Sequence, residues 1–299
     1  MNKRQSLNKD WETASFAALM FSIRKYSDRL SEKHGYKLNS RSREIDVRII
    51  DKLHGSKQRI DNAIAYIFER HNLVELKNPR EELNIDVFWK GISYAAQYKS
   101  NGRDDTTNKE GVNIKPMNEI TLTFLRVSKP VELFKYLRAN SYNISQKFPG
   151  VYYITGIPEL KIQVVVGSEL EGDEYIPLRV QKENASEEDI RKFIEMCGEM
   201  KEQSDKDMAD TIMQVSISNN KKIYEKIKKE DSEMCKALEN LMEDRIAIRV
   251  NEGILLGEER GIAIGEARGR AEGIRSILEL LTSSGKLTAQ EASALMASV

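Results

Sequence analysis

Residues 72–90, "NLVELKNPREELNIDVFWK", decide how the chain is read. Leu73, Val74 and Leu76 have the apolar content of a short buried strand, and Pro79 ends it. Side chains two apart along a strand share a face, so Glu75 and Lys77 point the same way, away from Val74 and Leu76. A helix follows, capped by Asn84, with Ile85, Phe88, Trp89, Ile92 and Ala96 as its buried stripe. Lys90, Tyr94 and Gln97, four and three apart, share another face of it. An acid and a lysine inside such a strand are either a surface ion pair, worth at most about 1 kcal/mol, or part of a polar site.

Upstream, "REIDVRIID" (43–51) alternates: Ile45, Val47 and Ile49 form one face and Glu44, Asp46 and Arg48 the other, as in a half-buried strand. Residues 10–38 have helical spacing, with Phe16, Leu19, Met20 and Ile23 on one stripe. The segment "QRIDNAIAYIFERH" (58–71) fits helix or strand. Downstream, "NGRDDTTNKEG" (101–111) is a polar loop, "ITLTFLRV" (120–127) a strand and "PVELFKYLRAN" (130–140) a helix. "GVYYITG" (150–156) and "IQVVV" (162–166) are further strands, and from "SEEDIRKFIEMCGEM" (186–200) onward the pattern is helical and dense in charge. The expected architecture is α/β, divided into an α/β domain at 8–170, a helical region at 171–250 and a glycine-repeat helix with a last short helix at 251–299.

The 299 residues balance 47 Lys and Arg against 47 Asp and Glu, so net charge points to no polyanionic partner. Residues 1–60 nonetheless hold 14 basic against 7 acidic side chains. That excess could track phosphates, with Arg24, Lys25, Arg41 and Arg43 as candidate DNA contacts, or simply solvate a helix face. Two cysteines without a C-x-x-C, and three scattered histidines, argue against a disulfide framework or a zinc site. The amino terminus lacks the apolar core of a signal peptide, and no stretch nears the roughly 18 apolar residues of a membrane span. A soluble, cytoplasmic protein is expected, with no membrane partner.

Glu-x-Lys occurs at Glu75/Lys77, Glu159/Lys161 and Glu199/Lys201. The last lies in helical sequence, where residues two apart do not face each other. The second follows Pro158 with no strand leading into it. Only the first lies within an apolar strand, with an aspartate on the polar face of an alternating strand upstream. Two carboxylates from neighbouring strands make a hard-oxygen site for Mg²⁺ or Mn²⁺, a lysine beside them can steady phosphate charge, and polar residues of the next helix can support them.

"REIDVRIIDK" followed by "DNAIAYIFERHNLVELKNPREELNIDVFWKGISYAAQYKS" resembles the core of the PD-(D/E)xK nuclease superfamily. More narrowly, it resembles the bacterial recombination-promoting nuclease and transposase family. The similarity continues through "EITLTFLRVSKPVELFKYLRANSYNISQKFPGVYYITG" into "KIQVVV". The resemblance implies a mixed central sheet flanked by helices, restriction-endonuclease-like, and metal-dependent DNA cleavage linked to recombination or mobile elements. It makes Asp46 and Glu75 the ligands of Mg²⁺ or Mn²⁺ and Lys77 the catalytic lysine, with Tyr94 and Gln97 in support. Glu12 is the candidate for an additional first-helix acid, and Asp61 is the alternative to Asp46.

Glycines at 253, 257, 261, 265, 269 and 273 recur every fourth residue. Each opposes a helix by roughly 1 kcal/mol relative to Ala, yet a period of four cuts a groove that lets a second helix approach closely. Charges at Glu258, Glu259, Arg260, Glu266, Arg268 and Arg270 exclude a membrane span, so a homo-oligomer is expected through this helix. "TAQE" (288–291) is a capping box opening a final helix. Two other functions fit the same sequence. One is a non-catalytic DNA-binding protein keeping the nuclease fold. The other is a helical interaction module that meets a protein partner through residues 180–299.

Overall fold

Seven strands form one mixed sheet: β1 (Leu30–Lys37), β2 (Glu44–Asp51), β3 (His71–Lys77), β4 (Ile120–Arg126), β5 (Asn143–Phe148), β6 (Val151–Thr155) and β7 (Lys161–Val166). Their order is β1-β2-β3-β4-β7-β6-β5. The centre β3-β4-β7 is parallel and the flanks are antiparallel. The computed structural model describes residues 3–38, 44–53, 55, 59–77, 81–100, 115–231, 234, 262, 265–266, 268–270 and 272–296. They fall into two compact units, 1–238 and 239–299.

The central strands are buried along their whole length, which suits a parallel sheet covered on both faces. On one face α2 (Ile85–Ser100) and α3 (Val131–Ala139) pack Phe88, Tyr98 and Phe134 onto Leu73, Phe124 and Val164. On the other, α1 (Lys3–Ile23) lies against β3 and α6 (Gln203–Asn219). Buried Ala14, Ser15 and Ala18 give α1 a side narrow enough for that packing. Ser15 donates to Gln181 Oε1 at 3.1 Å, tying α1 to the turn after α4 (Ile176–Arg179). Helices α5 (Glu187–Glu199) and α7 (Lys221–Glu230) complete this unit.

Asn72 locks the strand register. Its side-chain NH₂ donates to the Ile49 and Glu69 carbonyls, while its oxygen accepts from Glu69 N and Thr121 Oγ1. One buried amide thereby joins β2, β3 and β4 with its donors and acceptor all used.

Several expectations change. The helix read over 10–38 ends at Ile23, and Leu30–Lys37 is strand. This is an edge strand with Ser31, Glu32 and Lys33 exposed, and such polar edges carry no clear period-2 signal. Segment 58–71 is mostly loop around a 3₁₀ turn at Ala65–Ile67, and β3 starts earlier than Leu73, at His71. Strand β5, another polar edge, went unread. The buried side of α2 is Phe88, Gly91, Tyr94, Ala95 and Tyr98, whereas Trp89 and Ala96 are exposed. Gly91 turns the helix, because a Cβ there would stand 2.5 Å from Phe124 Cζ. Asn84 caps α2 as expected, accepting from Val87 N at 3.0 Å.

In the second unit a helix over 272–283 ends at Gly285, whose φ of 71° reverses the chain. Thr288 and Glu291 then form the capping box of the helix Ala289–Met296. A Cβ on Gly265, Gly269 or Gly273 would meet nothing within 4 Å. Gly253, Gly257 and Gly261, the loop 101–111, Arg41 and Arg43 lie outside the described residues.

Candidate active site

The ladder between β2 and β3 closes with Val47 opposite Val74, so Asp46 and Glu75 come next, where the two strands part. Leu76 N, released from that ladder, donates to Asp46 Oδ2 at 2.7 Å. The aspartate thus takes the place of a strand carbonyl and is held against the end of β3. Two residues along the same face, Lys77 Nζ donates to Glu75 Oε1 at 2.6 Å. This is not a surface pair: Glu75 is 4% exposed and Lys77 9%. Glu75 Oε2 is buried and has no hydrogen-bond partner among the described residues.

Burial, and then the Glu75 charge, push the Asp46 carboxyl up to about 8, although the Leu76 amide and Lys77 act against this. Glu12, on α1, adds a smaller repulsion in the same direction. It pairs with His34 at 3.5 Å, and His34 stacks on Phe16. Two carboxylates crowded at low dielectric, one with an unsatisfied oxygen, are a site that a hard cation would relieve. Among the described residues no three His, Cys, Asp and Glu side chains converge. The donor set is therefore two carboxylates, which fits Mg²⁺ or Mn²⁺ retaining several waters.

Helix α2 roofs this corner. Tyr94 is buried there, and its hydrogen bond is the main reason the Lys90 ammonium titrates above its ordinary value. The charges of Glu75 and Asp46 push Lys90 the same way. Gln97, one turn further along α2, is half-buried. Lys90 was visible in the sequence as a neighbour of Tyr94, but only the fold puts it in the field of both carboxylates.

Arg126 is a residue that sequence reasoning missed. It ends β4 in register with Lys77, and its side chain is 9% exposed. A lone arginine at the end of "ITLTFLR" carries no motif; only strand register reveals it.

The other sequence candidates lie apart. Arg24 and Lys25 sit in the turn after α1, about 18 Å along the chain axis from Glu12 at 1.5 Å per residue. Arg24 is engaged by Asp205 at 2.5 Å. Asp61 is exposed in the loop between β2 and β3, where its carbonyl accepts from Tyr26 at 2.8 Å. Lys161 pairs with Glu69, outside the Glu159 motif. A cavity of about 510 Å³ lined by Asp51, Arg59, Tyr66, Tyr153 and Ile162 contains none of the carboxylate-site residues.

No helix among the described residues is long and apolar enough to cross a membrane. Comparison with protein-family models, with curated proteins and with solved structures found no match.

Proposed function

We propose that this chain is a metal-dependent DNA endonuclease with a restriction-endonuclease-like fold, hydrolysing phosphodiester bonds in recombination or mobile-element biology. One observation carries the reading: Glu75 and Lys77 are buried as a pair beside Asp46, and Glu75 Oε2 has no partner among the described residues. A structural ion pair needs neither a second carboxylate nor an unsatisfied oxygen, and both raise its energy.

Asp46 and Glu75 would hold Mg²⁺ or Mn²⁺, which when bound supplies a water of lowered pKa and positive charge for the phosphodiester. The bond from Leu76 N fixes Asp46 Oδ2 and leaves its other oxygen for that role. Lys77, oriented by Glu75 Oε1, presents its ammonium beside the reacting phosphate, where it steadies charge and orients the attacking water. Tyr94, buried on α2, covers the site, and Lys90 adds positive charge within the field of both carboxylates. Pairing of two protomers through the glycine-repeat helix would bring one site to each strand of a duplex.

The test is cleavage of supercoiled plasmid with Mg²⁺ or Mn²⁺ by wild type, Asp46→Ala and Lys77→Ala. Nicking or linearisation lost in both variants and in EDTA is the expected result. Folded wild type that cuts nothing under either metal, yet binds DNA with steep salt dependence, would replace this reading with DNA binding alone.

A further inference from the structure

We propose that Arg126 forms an anion subsite that receives a phosphate group of the nucleic acid beside the Asp46–Glu75 pair; the nucleic-acid identity of the anion rests on the function proposed above, the subsite itself does not. A buried guanidinium is ordinarily matched by a carboxylate, because removing its charge from water is expensive. Arg126 has no such match among the described residues. Its Nη2 donates to the neutral Ser128 Oγ at 3.2 Å, and its buried Nε has no partner among the described residues. Glu82 acts on it only through its field and forms no ion pair with it, so burial prevails and draws its pKa below the ordinary arginine value.

Strand register sharpens the argument. Arg126 stands beside Lys77 on the adjacent parallel strand, so two cations share one face at neighbouring positions. Lys77 is compensated by Glu75, whereas Arg126 has no ion-pair partner among the described residues. Like charges side by side in a sheet oppose folding, and an anion bound at Arg126 removes that opposition. Phosphate suits the place, because a planar guanidinium offers it paired N–H donors. The position also falls at the carboxyl end of a parallel strand, where open α/β sheets place their ligands. Arg24 and Lys25, by contrast, flank the far end of α1.

Arg126→Met, which keeps length and apolar stem but removes the charge, tests this on the full chain in EDTA. Three quantities are read: melting temperature, the protection given by inorganic phosphate, and the salt dependence of binding to a fluorescein-labelled 20-bp duplex. The variant should melt a few degrees higher without ligand, lose the saturable protection by phosphate, and bind duplex at least about 10-fold more weakly. Its log K against log salt slope should fall by about 0.9, the signature of one lost phosphate contact. An unchanged slope together with unchanged phosphate protection overturns the subsite, whatever the melting temperature does, because a purely structural arginine moves only stability. Plasmid cleavage by wild type separates the two claims. Cleavage with an unaffected Arg126→Met slope leaves the nuclease standing and removes the subsite. Phosphate protection lost in the variant, with no cleavage by wild type, leaves the subsite standing and removes the nuclease.

Discussion

Replacing Asp46 with Asn should stabilise the metal-free protein at neutral pH, and the gain should vanish in acid. Burial first, and Glu75 second, raise this carboxyl from 3.8 to about 8. The unfolded chain ionises the group near its ordinary value, so at pH 7 folding requires uptake of a proton. About three pH units separate that value from pH 7, and at about 1.4 kcal/mol per unit the penalty is at most about 4 kcal/mol. Asn still keeps a polar side chain out of water, so roughly half of this, about 2 kcal/mol, should be recovered by the substitution. Asn retains an oxygen to accept from Leu76 N, which preserves the contact between the strand ends. The sign is definite. A carboxyl whose folded pKa is raised contributes no penalty below about pH 4, and stability is lost progressively as pH climbs to about 8. Wild type and Asp46→Asn should therefore melt together near pH 4, and the variant should lead by roughly 4–8 °C at neutral pH. Thermal melts from acid to mildly alkaline pH in EDTA measure this. Mg²⁺ at about 100 times its Kd should then raise wild type by about 2.7 kcal/mol and the variant far less, closing the gap. A variant less stable than wild type at neutral pH, or an offset independent of pH, would refute the reasoning.

Gly91→Ala should lower stability by about 1–2 kcal/mol in urea titration despite the better helix propensity of Ala, because its Cβ would stand 2.5 Å and 2.7 Å from the Phe124 ring; a stabilised variant would show that α2 can back away from β4. Cys197 is buried, and its thiol is raised to about 12 by burial and then by Asp210, so Ellman's reagent should react with it only as fast as the protein opens. Measured in a Cys235→Ser background, fast labelling of the native protein would contradict the burial. Deleting residues 250–299 should reduce the mass found by light scattering to that of a smaller oligomer or a monomer, and an unchanged oligomeric state would remove the glycine-repeat helix from assembly.

What the sequence made legible follows from which residues face one environment along a whole element. Strand β2 showed its alternation because Ile45, Val47 and Ile49 are fully buried while Glu44 is exposed. The central strands β4 and β7 showed as apolar runs because both their faces are covered. The edge strands β1 and β5 lack that contrast, and β1 was absorbed into the preceding helix. On α2 the apolar side chains alone placed Trp89 inside, whereas the sheet selects the small Gly91 and Ala95 for close approach and leaves Trp89 46% exposed. The site divides along the same line. Glu75 and Lys77 are two apart in one strand, so their shared face is local information. The approach of Asp46 depends on antiparallel pairing with β2, which the motif only implied. The placement of Arg126 depends on pairing with β3, a parallel partner separated from β4 by 42 residues of intervening chain, and no pattern within either strand announces it.

The sheet handles its buried polar groups in two different ways, and the contrast is informative. At the start of β3, the Asn72 side chain spends every donor and acceptor on Ile49 of β2, Thr121 of β4 and the Glu69 backbone just before β3, so that end is satisfied. At the other end Glu75 Oε2 and Arg126 Nε have no partner among the described residues, and burial, then the Glu75 charge, holds the Asp46 carboxyl well above its ordinary value. Each unsatisfied buried group costs about 1–3 kcal/mol, and apolar side chains such as those at Val74 and Leu125 fill neighbouring positions of the same strands without that penalty. Folding alone therefore does not account for the choice of residues at 46, 75 and 126. The two orphans sit on adjacent strands, Glu75 on β3 and Arg126 on β4, yet no ion pair joins them among the described residues. Direct neutralisation of one by the other would have been the stabilising arrangement. Left unpaired with each other, they leave complementary demands, Glu75 and Asp46 for a cation and Arg126 for an anion. A phosphodiester bridged to a divalent ion, as the function proposed above requires, would meet both at once.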